Sequence, residues 1–251
     1  VDAKARILEN QQPEDYVILN YDDMLTRMLA TQAKAQVIYF SRQQQLNKGV
    51  YVKNGEVIVN LANQEIPIIP VADILIPGAH NLENVLAAVA CAWVLGVCPE
   101  YIARVLREFP GVPHRLEFVR EVEGVQYIND SKGTNPDAAI KALDAYPNPL
   151  ILIAGGKNKG SDFTEFAAKI KERVRCLILV GQAATDIREA VENTGFREIC
   201  QTITFKEAVL TAHRLARPGD VVLLSPACAS WDMFNSYEER GDLFKKLVHS
   251  L

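Results

Sequence analysis

The sequence lacks any apolar stretch of the roughly 18 to 20 residues that a membrane-spanning helix needs, because Gly, Pro or charge interrupts the longest candidates. Membrane insertion is therefore not expected. Runs of basic residues are also missing: 27 Lys and Arg face 31 Asp and Glu, for a net charge of −4. This balance argues against nucleic acid or a membrane surface as a partner recognised by bulk charge. The five cysteines, Cys91, Cys98, Cys176, Cys200 and Cys228, are odd in number and form no C-x-x-C pair. They are expected to be buried, reduced thiols of a cytoplasmic protein. Neither G-x-x-x-x-G-K-[ST] nor G-x-G-x-x-G occurs, so the chain carries neither a Walker phosphate loop nor a dinucleotide fingerprint. There is no internal repeat. The first residues, Val-Asp-Ala-Lys-Ala-Arg, contain no signal-peptide pattern and no initiator Met, and the expectation is a chain that starts inside a longer protein.

What remains is an ordinary globular composition, 49% hydrophobic and 23% charged over 251 residues, long enough for two domains. Asp2 to Gln11 reads as the last turns of a helix. Tyr16 to Leu19, Val37 to Phe40, Gly49 to Lys53 and Glu56 to Asn60 read as strands, the last two joined at Asn54-Gly55, a strong hairpin signal. Helices are predicted from His80 to about Leu95 and from Pro99 to Phe109. Pro110-Gly111-Val112-Pro113 can continue neither helix nor sheet and marks a domain boundary. Beyond it, strands are predicted at Glu117 to Val122 and Val125 to Asn129. Three apolar runs follow, Leu150 to Ala154, Cys176 to Val180 and Val221 to Leu224, alternating with helical stretches, including a last helix from Tyr237. Strands that are apolar on both faces and alternate with helices predict a parallel, doubly wound α/β sheet.

In such sheets ligands bind beyond the carboxyl ends of the strands. Three segments at those positions are rich in small, polar and charged residues: Asn129 to Asn135, Gly155 to Gly160 and Ser225 to Asp232. Two of them carry lysines, which with free backbone N–H groups would favour phosphate or carboxylate. Helix capping by Asp130, Ser131 and Ser161 is the plainer explanation for any one loop, but three at one edge make it less economical. Asp130 and Lys132 could serve a nucleotide and a carboxylate, or form a surface ion pair worth ~0 to 1 kcal/mol. Asn81 and Asn84 share a helix face and could reach a nucleotide or cap the helix. Arg115 could clamp a phosphate or pair with Glu117. Trp231 and Phe234 are expected in the core, and Cys228 is expected to be structural.

Gly78-Ala79-His80-Asn81 with Asn84, Pro113 to Glu117, Asn129 to Asn135, Ala154-Gly155-Gly156 with Lys159, and Leu224 to Ser230, in that order, resemble the Mur ligases. The Asn-Asp-Ser-Lys-Gly-Thr-Asn and Ser-Pro-Ala-Cys-Ala-Ser segments resemble its D-glutamate-adding branch. The resemblance implies an α/β chain made of the later part of the central ATPase domain, residues 1–111, and a complete Rossmann-like, doubly wound C-terminal domain, residues 112–251. The UDP-binding domain and the phosphate loop of the family have no counterpart and are expected upstream.

The resemblance further implies cytoplasmic, ATP- and magnesium-dependent amide synthesis for the cell wall, and through it a part in cell shape, division and the cell cycle. The carboxylate of UDP-N-acetylmuramoyl-L-alanine would accept the γ-phosphoryl group of ATP, and the D-glutamate amine would attack the acyl phosphate. Lys4 matches the family's carbamylated lysine, whose carboxylate would hold magnesium; proton loss from such a lysine is promoted by burial. Asn81, Asn84, Arg115 and Asp130 match nucleotide-contacting positions. Lys132, Thr134, Lys159, Ser230 and Tyr237 match positions around D-glutamate, with Lys132 also placed at the catalytic centre. Tyr237 is the loosest match, since Phe is common there. Another Mur-type or folylpolyglutamate ligase and a noncatalytic amino-acid or nucleotide-binding module are the competing readings.

Overall fold

The computed structural model describes residues 1–61 and 64–251, and the chain divides into two compact units, Val1–Pro110 and Gly111–Leu251. In unit 1, α1 (Asp2–Ala5) passes into a 3-10 turn, Arg6–Leu8, rather than the continuous helix to Gln11 that the sequence predicts. The only buried residue of this segment is Leu8, too small an apolar stripe to hold a longer helix against a core. Strand β1 (Tyr16–Asn20) is followed by α2 (Met24–Leu29), β2 (Gln36–Ser41), β3 (Gly49–Lys53), β4 (Glu56–Asn60) and β5 (Ile66–Pro70). They form one sheet in that order, parallel from β1 to β3 and antiparallel from β3 to β5.

Lys53 pairs with Glu56 across Asn54-Gly55, both at positive φ (52° and 78°), as a tight hairpin of this hand requires. Strand β5 was not legible in the sequence because two prolines punctuate Ile-Pro-Ile-Ile-Pro. It lies at the sheet edge, where a missing N–H is tolerated. Helices α3 (Ala79–Val94) and α4 (Pro99–Glu108) complete the unit. Val85, Leu86, Val89 and Ala90, at helical spacing, bury α3 against Ile38, Val50, Val57, Val59 and Ile69 of the sheet.

Unit 2 contains β6 (Glu117–Val122), β7 (Val125–Asn129), α5 (Pro136–Asp144), β8 (Leu150–Ala154), α6 (Thr164–Arg173), β9 (Val174–Leu179), α7 (Ala184–Asn193), β10 (Ile199–Gln201), α8 (Phe205–Leu215), β11 (Val221–Leu224) and α9 (Tyr237–His249). The sheet order is β10-β9-β8-β11-β7-β6, with only β6 antiparallel. Strand β8 shows why its sequence is apolar at every position. Leu150, Leu152 and Ala154 enter one core with α5, α6 and α7, while Ile151 and Ile153 enter the opposite core with α8 and α9. This two-sided burial is the doubly wound arrangement expected from the sequence.

The cysteines need correction: only Cys176 and Cys228 are buried, Cys200 is half-buried, and Cys91 and Cys98 are exposed. Cys91 falls off the apolar stripe of α3 and Cys98 precedes the first turn of α4, so neither faces the core. All five are free thiols. Trp231, expected in the core, is 62% exposed. Phe234 does pack in it, edge-on to Phe205 at 5.2 Å. Among the described residues, no helix is long and apolar enough to cross a membrane.

Candidate functional site

Because β8, β11 and β7 are parallel neighbours, the three chemistry-bearing loops leave unit 2 side by side at one edge. Backbone bonds lace them together. Asp130 N donates to Leu224 O (2.8 Å), Gly155 N donates to Pro226 O (2.9 Å), and Lys157 and Ala229 exchange N–H···O bonds of 2.8 and 3.1 Å. The glycines permit this closeness. A Cβ on Gly156, at φ 132°, would stand 2.3 Å from Ala229 O, and one on Gly155, at φ 118°, would stand 2.0 Å from Val180 O. Gly-Gly after β8 is therefore a steric requirement of the loop junction.

Side chains reinforce the lacing from below. Ser225 Oγ donates to Asp130 Oδ2 (2.7 Å), and Leu116 N donates to Asp130 Oδ1 (3.3 Å). Burial pushes the Asp130 carboxyl up from 3.8 to about 6, against the opposing pull of these bonds and of Arg115 and Arg240. Asp130 thus binds and caps between loops rather than capping a helix. Arg240, only 1% exposed, reaches up from α9. Its Nε donates to Ser131 Oγ (2.9 Å), Nη2 to Ser131 O (2.8 Å), and Nη1 and Nη2 both to Cys228 O (3.2 Å each). Ser131 Oγ in turn donates to Tyr237 O at 2.7 Å. Burial lowers the Arg240 guanidinium to about 10, which leaves it charged at neutral pH. Burial also pushes the Cys228 thiol up to about 12, which keeps it protonated and excludes it as a nucleophile.

Above this buried network sit the groups with unused capacity. Lys132 Nζ lies 5.4 Å from the Tyr237 ring and Lys159 Nζ 5.8 Å from the Trp231 ring, and among the described residues neither ammonium has a carboxylate partner. Ser230 Oγ is buried without a hydrogen-bond partner. Thr134 is half-buried in the turn where its N–H donates to Lys132 O (2.9 Å). Next to it Asn135 caps α5, accepting from Ala138 N at 2.9 Å. Asp130, Lys132, Thr134, Lys159, Ser230 and Tyr237 therefore belong to one edge of unit 2. Arg115 is exposed just before β6 and makes no ion pair with Glu117; the Glu117 carboxylate is taken by His114 N (2.9 Å) and Asn129 Nδ2 (2.9 Å).

Unit 1 holds the other candidates. Asn81 does not cap α3, whose N-cap is Gly78. Its Nδ2 donates to Pro77 O (2.7 Å), and its Oδ1 accepts a long 3.4 Å bond from the exposed Asn84. Lys4 is exposed on α1. Among the described residues no three His, Cys, Asp or Glu side chains cluster as metal ligands.

Sequence reasoning missed Arg240, and it placed Ser225 in a candidate loop without a role. A signal for Arg240 was there: Arg240, Phe244 and Val248 recur every four residues and are all buried, so the arginine occupies the apolar phase of α9. A charge in that phase must be held by specific acceptors. The adjoining Gly241 is equally constrained, since a Cβ there would meet His114 Nδ1 at 2.2 Å.

Residues 1–92 match the family described as Mur ligase middle domain, and residues 114–228 the Mur ligase, glutamate ligase domain. The UDP-N-acetylmuramoylalanine--D-glutamate ligase of Pelotomaculum thermopropionicum is 56% identical over 249 residues, covering 99% of this chain and 55% of that protein. The protein of the same name from Clostridioides difficile is 47% identical over 251 residues, covering 100% of this chain and 55% of that protein. The chain spans about half the length of the curated relatives it matches. Among solved structures, Thermotoga maritima MurF ligase in complex with ADP superposes with a TM-score of 0.67 at 16% identity, over 99% of this chain and 57% of that one. The bifunctional folylpolyglutamate synthase/dihydrofolate synthase of Yersinia pestis, complexed with AMPPNP and Mn ion, gives 0.69 at 16% identity, over 98% and 55%. These two likenesses bear on the fold alone.

Proposed function

The chain belongs to the Mur ligase family, and on that premise we propose that it is the ATP-using and amino-acid-receiving portion of a ligase joining D-glutamate to UDP-N-acetylmuramoyl-L-alanine. Residues 1–111 would form the later part of the central ATPase domain and residues 112–251 the C-terminal domain, acting with upstream UDP-binding and phosphate-loop segments. The observation that carries the reading is the edge of unit 2, where two lysines without carboxylate partners and the unpartnered Ser230 hydroxyl stand on three loops locked from beneath. Two ammonium groups and hydroxyl donors suit an amino acid with two carboxylates. Lys132 and Thr134 would take one carboxylate, and Lys159 and Ser230 the other, with Tyr237 closing the side nearest Lys132.

Asn81 and Asn84 would face the nucleotide in unit 1, and Arg115 and Asp130 in unit 2. ATP supplies a phosphoryl group that turns the acceptor carboxylate into a good electrophile. The task of the protein's residues is to hold the amine near that carbon, exclude water and stabilise developing negative charge, a role that would fall to Lys132. Magnesium is a different matter. The described residues provide no ligand cluster of their own, so the ion would be held by Lys4 as its carbamate together with groups from the upstream segments. The free thiols support a cytoplasmic enzyme of peptidoglycan synthesis, acting in cell-wall growth and division.

The test is amino-acid selectivity of the ligase that contains this chain, read as phosphate release with UDP-N-acetylmuramoyl-L-alanine and ATP. D-Glutamate is expected to be the preferred amino acid. Preference for L-alanine, a diamino acid or a folate acceptor would overturn the assignment.

A further inference from the structure

The opposite end of the unit 2 sheet has its own concentration of charge. Arg175 opens β9, Arg197 precedes β10, and Arg214 and Arg217 flank the end of α8. These four of the chain's fourteen arginines line one cavity of about 610 Å³, in a protein whose net charge is −4. Glu198 is the single acidic residue on its wall, and it makes no ion pair among the described residues.

Structural duties account for part of this set. Arg175 pairs with Asp220 and donates to Leu215 O (2.8 Å), and Arg197 Nη1 donates to Glu192 O (2.8 Å) and Phe196 O (2.9 Å). They leave much of it unused. Arg214 donates only to Thr211 Oγ1 (2.9 Å), the Arg217 guanidinium has no partner among the described residues, and Arg175 Nε is buried without an acceptor. Each guanidinium carries five N–H donors in a planar fork. The carbonyls at the end of α8 would repel an anion, but three of the last four are already covered. Ala216 N takes the Ala212 and His213 oxygens, and Arg175 takes that of Leu215.

We propose that this cavity is a binding site for a small phosphorylated ligand bearing at least two negative charges, separate from the three-loop edge. Planar guanidinium forks match phosphate oxygens in pairs. Ile199, Leu215 and Ala216 offer an apolar wall for the carbon skeleton of a phosphate ester. The volume falls in the range of small-molecule sites. Separation from the candidate ligase site follows from topology. The arginines sit where β9 begins and α8 ends, whereas Lys132 and Lys159 follow the carboxyl ends of β7 and β8.

Cys200, half-buried on the cavity wall, is a built-in reporter. Its neighbour Cys176 is buried and its thiol is pushed up to about 12, so it will react slowly. The experiment follows iodoacetamide modification of each cysteine by peptide mass mapping, with pyrophosphate as probe and sodium chloride at matched ionic strength as control. At ten times the dissociation constant, the Cys200 rate is expected to fall roughly tenfold by mass action, with Cys91 and Cys98 unchanged. The double substitution Arg197→Ala with Arg214→Ala is expected to abolish the protection, and Lys132→Ala to preserve it. A Cys200 rate that follows chloride as well as pyrophosphate would overturn the proposal. Protection that survives the double substitution, or disappears with Lys132→Ala, would do the same, the latter by placing the ligand at the three-loop edge.

Discussion

Units 1 and 2 both stack helices on a sheet with parallel strands, yet they treat buried polar groups differently. Of the buried polar or charged side chains among the described residues, Ser41 and Asn81 lie in unit 1 and ten lie in unit 2. Seven of those ten, His114, Asn129, Asp130, Ser131, Ser225, Ser230 and Arg240, belong to the loop edge or its support. Burying such groups costs stability unless each finds a partner. Unit 2 meets most of that cost with Arg240, Ser225 and Asn129, and leaves Ser230 unmatched. Unit 2 thus uses its polar interior to hold three loops in one geometry, while unit 1 leaves Lys4 and Asn84 exposed and buries only Asn81 of its candidates.

The largest test of that contrast pairs Arg240→Met with Arg42→Met. The first leaves Ser131 O, Ser131 Oγ and Cys228 O without their donor and is expected to cost about 3 kcal/mol or more in denaturant unfolding of unit 2. The second removes a half-exposed 3.2 Å pair with Glu83 in unit 1 and is expected to cost at most about 1 kcal/mol. Equal losses would erase the distinction.

Next in size is a pH effect confined to unit 2. The folded Asp130 carboxyl holds its proton up to about pH 6, whereas the unfolded one releases it near 3.8, so between these values the folded state binds more protons. Stability from this group is therefore full below about pH 4 and is lost as pH rises through 6, by ~2 to 3 kcal/mol. Asp130→Asn is expected to flatten that slope in urea unfolding measured from pH 4 to 7. An unchanged slope would mean that Asp130 is not the buried acid described.

Smaller effects sharpen the comparison from the other side. Asn135→Ala in unit 2 and Asp23→Ala in unit 1 each remove an N-cap and are both expected to cost about 1 kcal/mol by thermal unfolding, since capping is local and indifferent to what the loop does. Lys132→Ala and Lys159→Ala are expected to leave stability within about 0.5 kcal/mol while raising the KM for the amino acid about tenfold or more. A large loss of stability would reassign these lysines to the scaffold.

Much of this was legible from residue patterns. The apolar runs of β8 and β11, the Asn54-Gly55 turn and the Pro110 to Pro113 break announce themselves through period, positive φ and lost N–H groups. The candidate loops were legible because a parallel sheet sends the ends of β7, β8 and β11 to one edge. Strand β5 was hidden by its prolines, and α2 by being a six-residue helix with no buried residue. Arg240 left one local trace, its place in the apolar phase of α9, but its acceptors are carbonyls and a hydroxyl supplied by residues 109 and 12 positions away, which no local pattern encodes. The exposure of Lys4 and Trp231 likewise depends on what surrounds them in space.

The three loops of unit 2 are proposed to form one site for a dicarboxylic amino acid. The most direct test is a D-glutamate titration followed by backbone amide NMR signals. Saturable shifts are expected at Lys132, Gly155 to Lys159 and Ala229 to Trp231 together, absent with L-glutamate and lost in Lys132→Ala. Shifts at only one loop, or shifts that persist unchanged in Lys132→Ala, would contradict it.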